Sequence, residues 1–101
     1  MEEDDDPLPA NFALEQNFPN PFNSGTTVHY VLPVAGVANL VVYNLSGQRI
    51  KTLESAWRPA GNGVAHWDGR DDNGFIAASG VYVYRLESRG FTVARKLLML
   101  R

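Results

Sequence analysis

From Gly80 to Glu87 the chain sets Val81, Val83 and Arg85 on one parity against Tyr82, Tyr84 and Leu86 on the other, a period of two that suits a strand and no helix. The same period runs from Thr26 to Leu32. There Val28, Tyr30 and Leu32 oppose Thr27, His29 and Val31, and Pro33 ends the run because it has no N–H for a ladder. Val37 to Tyr43 is almost continuously apolar, as a central strand is. Asn44-Leu45-Ser46-Gly47-Gln48 then supplies a turn, and Arg49 to Leu53 resumes alternation through Ile50 and Leu53, which predicts a hairpin. Beyond a loop through Pro59, Gly61 and Gly63, Val64 to Asp68 forms the next strand, with Trp67 as its bulkiest core candidate. Ser88-Arg89-Gly90 joins the Gly80–Glu87 strand to Phe91–Leu100 in a terminal hairpin.

With a short first strand near Phe12 to Gln16, the count reaches seven strands at spacings of about a dozen residues or less. That count and spacing predict an all-β, immunoglobulin- or fibronectin-like antiparallel β-sandwich, with a small barrel as the alternative. The expected core holds Leu40, Val42, Trp67, Val81 or Tyr82, Tyr84 and Leu98. A chain of 101 residues, 45% of them hydrophobic, is long enough for one such core. It contains no cysteine, which excludes a disulfide framework, a thiolate metal site and a cysteine nucleophile. No apolar run approaches the roughly 20 residues that span a bilayer as a helix, so no transmembrane segment is expected.

The formal net charge of −2 conceals an asymmetry. Glu2, Glu3, Asp4, Asp5 and Asp6 are followed by Pro7 and Pro9, and beyond them nine basic side chains face six acidic ones. A self-repelling acidic run punctuated by proline buries no apolar area, so residues 1–11 read as a solvated linker and 12–101 as the folded domain. The junction between them is followed by Asn17-Phe18-Pro19-Asn20-Pro21-Phe22-Asn23. Each proline fixes its own φ and restricts the residue before it, the asparagines suit turns, and Phe18 or Phe22 can pin the segment to a core.

Candidate chemistry is sparse. In Asp68-Gly69-Arg70-Asp71-Asp72-Asn73-Gly74 the oxygens of Asp68, Asp71, Asp72 and Asn73 invite a calcium reading. Aligning Gly74 with the sixth position of an EF-hand loop puts Gly69 at the first and Gly80 at the twelfth, where carboxylates are needed, so the loop is no EF-hand. The alternative is that these side chains build turns by bonding their own backbone. His29 and His66 sit in alternating strands without a nucleophile beside them, and no glycine loop of a phosphate-binding type occurs. Arg89, Arg95, Lys96 and Arg101 cluster near the end of the chain, but a body charge of +3 gives no nucleic-acid footprint. No enzyme activity and no cofactor are expected.

The Asn17–Asn23 heptad, Thr26-Thr27-Val28-His29-Tyr30, Val42-Tyr43-Asn44-Leu45-Ser46-Gly47-Gln48, Trp67-Asp68-Gly69-Arg70-Asp71, Ser79-Gly80-Val81-Tyr82 and Arg95-Lys96-Leu97-Leu98 follow one another in an order that resembles the C-terminal sorting domain of the type IX secretion system. The same features resemble the related immunoglobulin-like domain of flagellar hook-capping proteins. Pro19, Asn20 and Pro21 match the sorting family's proline-asparagine-proline box, Gly80 and Tyr82 its glycine-x-tyrosine element, and Lys96 with Leu97 to Leu100 its basic-apolar terminal strand, so that Pro19, Asn20, Pro21, Gly80, Tyr82, Arg95, Lys96, Leu97 and Leu98 are the expected recognition residues. The resemblance implies a non-catalytic module behind an upstream cargo domain, read by the secretion translocon, cut by a sortase-like cysteine protease, and delivered through periplasm and outer membrane to the cell surface. It also implies a terminal edge strand open to strand addition, with Arg95 and Lys96 as guards. A carbohydrate-binding or structural immunoglobulin-like appendage of an extracellular enzyme is the alternative, in which Trp57, Tyr82 or Tyr84 would stack on sugar.

Overall fold

The structure, a computed structural model, describes residues 12–101. The linker assigned to residues 1–11 lies outside them. Among the described residues seven strands form: β1 (Ala13–Leu14), β2 (Thr26–Leu32), β3 (Gly36–Asn44), β4 (Arg49–Arg58), β5 (Gly61–Trp67), β6 (Gly80–Ser88) and β7 (Phe91–Met99). They build two antiparallel sheets, one ordered β1-β2-β5 and the other β4-β3-β6-β7. The fold is the immunoglobulin-like sandwich that the strand count predicted, with the fourth strand beside the third rather than beside the fifth.

Alternation decides which face of each strand is buried. Val28, Tyr30 and Leu32 of β2, Ala38, Leu40 and Val42 of β3, and Tyr82, Tyr84 and Leu86 of β6 all point into the space between the sheets. Trp67 at the end of β5 is fully buried and packs against Phe22 and Tyr82, with ring centroids 5.6 and 5.4 Å away. Burying each of the larger aliphatic side chains among these contributes about 1.5–3 kcal/mol. Two hairpins appear where the turns were expected. In the first, Asn44 Oδ1 accepts the N–H groups of Ser46 and Gln48. In the second, Arg89 and Gly90 have φ of 53° and 83°, the mirror-image turn whose twist matches its strands.

Three expectations change. β4 continues five residues past Leu53, to Arg58, because it is an edge strand whose outer residues need not be apolar. β5 begins at Gly61, so the glycines expected in a loop lie in the sheet, and Gly63 passes so close to the Tyr30 ring that no side chain fits there. Leu98 is not a core residue. It faces outward opposite Val81, while Leu97 and Met99 fill the interior, since β7 pairs Leu97 with the buried Tyr82.

Candidate functional site

The last third of β7 is held from both sides. On one flank β6 pairs Gly80 with Met99, Val81 with Leu98, Tyr82 with Leu97 and Tyr84 with Arg95. On the other flank lies the proline-asparagine heptad, in which the Phe18–Pro19 and Asn20–Pro21 peptide bonds are both cis. Asn20 Oδ1 accepts the Leu98 N–H at 2.9 Å, Phe22 N–H donates to Leu98 O at 3.1 Å, and Leu100 N–H donates to Phe22 O at 2.9 Å. One step earlier, Gln16 Nε2 donates to Lys96 O at 2.7 Å. The edge of β7 from Lys96 to Leu100 is therefore occupied, which corrects the expectation of a terminal strand bare for strand addition.

The structure thus brings Pro19, Asn20, Pro21, Gly80, Tyr82, Arg95, Lys96, Leu97 and Leu98 to one end and edge of the sandwich, with different exposures. Pro19, Asn20, Pro21 and Lys96 are exposed. Leu97 and Tyr82 are buried, and Leu98 is half-buried on the outer sheet face. Arg95 is exposed as well, and its Nε donates to Leu14 O and ties β7 to the first strand. Gly80 has φ of 151°, a conformation that a side chain disfavours, so the glycine of the glycine-x-tyrosine element serves the backbone. Tyr82 is the packing member of that element. Its ring meets Trp67 edge-on, its hydroxyl donates to Ala78 O, and burial raises its pKa against the lowering effect of Arg101.

Residues that the sequence did not assign to the recognition site complete the arrangement. Tyr84 Oη donates to Glu15 O at 2.8 Å and accepts the Asn17 N–H at 2.9 Å, which fastens the incoming chain across the sandwich edge. Burial raises the Tyr84 pKa, against the Asn17 N–H and the positive charge of Arg95. Asn17 is buried with its amide on Thr26 Oγ1 and Pro19 O, and Thr26 Oγ1 donates to Pro19 O. At the end of the chain the Arg101 guanidinium donates to Ala77 O, Asn23 O and Gly69 O, at 3.1, 3.2 and 3.0 Å. Gly69, with φ of 80°, leaves the room: a Cβ there would stand 2.6 Å from Arg101 Nη2. No local pattern marks Arg101, because its partners come from three separate segments. Asn17, as a polar residue inside the heptad, carried a visible signal.

Of the heptad phenylalanines, Phe22 is buried against Trp67 and Phe18 is 78% exposed. Pro19, Pro21, Phe22, Asn23 and Leu100 border an open depression beside the terminal strand. A more enclosed cavity of about 250 Å³, lined by Phe12, Leu32, Pro33, Val34, Ser88, Arg89 and Phe91, lies at the opposite end of β6 and β7.

The oxygens considered for calcium make turns and an edge cap. Asp68 Oδ1 accepts the Arg70 N–H, and Asp71 Oδ1 accepts those of Asn73 and Phe75. Asp72 caps β4: its Oδ1 accepts the Thr52 N–H and its own N–H donates to Ile50 O, with Arg49 Nε 3.7 Å from Oδ2. Among the described residues, no three His, Cys, Asp or Glu side chains gather as a metal-binding set. Of the aromatics considered for sugar stacking, Tyr82 and Tyr84 are buried, a correction that follows from the parity of β6, and Trp57 is 63% exposed.

Among solved structures, dimeric latent PorU from Porphyromonas gingivalis superimposes with a TM-score of 0.69 at 18% identity, over 90% of this chain and 10% of that one. FlgD from Xanthomonas campestris, linked to the hook capping essential for flagellar assembly, gives a TM-score of 0.61 at 22% identity, over 87% of this chain and 66% of that one. PorZ, a surface component of the type IX secretion system of P. gingivalis, gives 0.59 at 18% identity, over 89% and 11%. The chain thus spans about a tenth of PorU and PorZ, and these likenesses are of fold. No curated protein matches the sequence. Residues 22–90, more than half of the chain and all of β2 through β6, match a known domain family. On that match this chain belongs to the FlgD Ig-like domain family.

Proposed function

We propose that this domain is a non-catalytic sorting and anchoring module that directs a secreted cargo across the outer membrane and onto the cell surface. Its partners on this reading are a type IX secretion translocon, a sortase-like cysteine protease and the cargo domain upstream. The observation that carries the reading is the meeting of the heptad with β7. The residues that resemble the sorting family lie far apart in sequence, and they form one continuous surface of Pro19, Asn20, Pro21, Lys96, Leu98 and Leu100 beside the end of β6. The recognised feature is then composite, a terminal strand with its heptad still on it. PorZ, a type IX surface component, contains the same fold, which supports the reading at the level of architecture.

The test is surface delivery of a full-length cargo bearing this domain. Lys96→Ala alters an exposed side chain without touching the core, and together with Asn20→Ala it is expected to leave cargo in the periplasm while the domain still folds. Undiminished surface delivery of the double variant rejects the composite signal. A purely structural immunoglobulin-like role is the second reading, favoured by the family match, which ends at Gly90 and excludes both β7 and most of the heptad. A structural spacer keeps its function when moved to mid-chain, whereas a sorting signal loses it there.

A further inference from the structure

Among the described residues, every long sheet edge except one is blocked or charged. β4 is capped by Asp72 at Ile50 and Thr52 and carries Arg49, Lys51, Glu54 and Arg58 along its length. β7 is covered by Gln16, Asn20 and Phe22. β5, which among the described residues pairs only with β2, has no Lys, Arg, Asp, Glu or Pro from Gly61 to Trp67 and no bulge in its register. Natural sheets protect their edges with these very devices, so an unprotected neutral edge marks a strand that takes a partner.

The direction of the free backbone groups follows from the neighbouring ladder. Glu15 N–H donates to His29 O, and Thr27 exchanges hydrogen bonds with Phe18, all at 2.9 Å, so His29 and Thr27 aim their backbone groups toward the first strand. Val28 and Tyr30 must then bond β5, where they face Ala65 and Gly63. Along β5 this leaves the N–H and C=O groups of Asn62, Val64 and His66 pointing away from β2. Among the described residues, no hydrogen bond reaches them from outside the sheet.

We infer that this edge pairs with β5 of a second copy of the chain, antiparallel about a two-fold axis through Val64. The sequence Asn62-Gly63-Val64-Ala65-His66 is self-complementary in that register. Val64 meets Val64, Asn62 meets His66 of the other copy, and every outward backbone group finds a partner, since each such pair exchanges two N–H···O=C bonds. On the outer face the half-exposed Val64 side chains cover one another, and the Asn62 amide faces the His66 imidazole. On the inner face Gly63 and Ala65 are small enough to meet without crowding. No like charges oppose each other. The result is one continuous sheet of both copies, ordered β1-β2-β5-β5-β2-β1, and it leaves the heptad and β7 uncovered.

The test uses the 101-residue chain in sedimentation velocity from about 1 μM to about 1 mM. The unmodified chain is expected to show a concentration-dependent dimer. Val64→Pro removes an outward N–H that β2 does not use, and is expected to weaken dimerisation at least tenfold with an unchanged far-ultraviolet spectrum. Because the chain has no cysteine, single substitutions also read the register. Across the axis the Cα atoms of residue 64 would lie about 5.5 Å apart, within disulfide reach. Oxidised Val64→Cys is therefore expected to cross-link quickly and His66→Cys to stay uncross-linked. A chain that stays monomeric at the highest concentration, or Val64→Cys and His66→Cys variants that cross-link at equal rates, overturns the proposal.

Discussion

Asn20 and Leu98 stand 78 positions apart and meet in a single hydrogen bond, the Asn20 side-chain oxygen accepting the Leu98 backbone N–H at 2.9 Å. The contact joins the stiffest segment of the chain to its last strand and adds a side-chain partner beside the backbone bonds that Phe22 makes to Leu98 and Leu100. Asn20→Ala is expected to lower stability by about 0.5–1 kcal/mol, since the site is exposed and water replaces the lost acceptor. Amide exchange at Leu98 should quicken while that at the buried Leu86 does not, and nuclear magnetic resonance reads both.

Arg101 binds carbonyls from three segments, so its removal should loosen them together. We expect Arg101→Ala to cost about 1–2 kcal/mol in chemical denaturation, the bonds being charge-assisted but largely exposed. Arg101→Lys should recover only part of this, because an ammonium cannot fork to several acceptors as a planar guanidinium does.

Gly69→Ala should interact with that loss. In the unmodified chain the added methyl meets Arg101 Nη2 and also adopts a positive φ. In an Arg101→Ala background the backbone penalty of about 1 kcal/mol and the tight approach to Met99 Sδ, at 3.1 Å, remain. A double-mutant cycle therefore yields a coupling energy, and strict additivity would refute the contact.

Tyr84 links pH to stability with a definite sign. Its folded-state pKa is raised above the ordinary 10.0 chiefly by burial, so the folded protein holds the phenol proton more tightly than the unfolded chain does. Stability is fully present below pH 10.0 and is lost as pH rises through the folded value, with the buried Tyr30 and Tyr82 acting in the same direction. Tyr84→Phe should reduce the slope of melting temperature against pH above 10.0. It should also cost about 1–3 kcal/mol at neutral pH, because the buried Asn17 N–H loses its acceptor.

Trp67→Ala should be the most damaging of these substitutions, at about 3–5 kcal/mol, since Phe22 and Tyr82 both lean on the indole. Trp67→Phe should cost less but leave Arg70 O without the indole N–H it accepts at 2.8 Å. Thermal melts of the two variants separate packing from that bond.

Strand class, strand number, both hairpins and the alternation of β2 and β6 were legible in the amino-acid order alone, while the choice between Val81 and Tyr82 as the inward residue of β6 was not. They rest on period-two alternation and on turn residues whose preferences are local. Long-range contacts settle what alternation leaves open. In Leu97-Leu98-Met99-Leu100 both parities are apolar, and only pairing with Tyr82 sends Leu97 and Met99 inward and Leu98 outward. The ends of β4 and β5 escaped the pattern because edge strands have no need of apolar residues and Gly63 is selected by the Tyr30 ring. The candidate site shows the same division. Its heptad, its glycine-x-tyrosine element and its basic-apolar strand were each legible, yet that Asn20 lies on Leu98, that Tyr84 fastens Asn17, and that Arg101 gathers three carbonyls depends on folding distances between remote segments, which no local periodicity encodes.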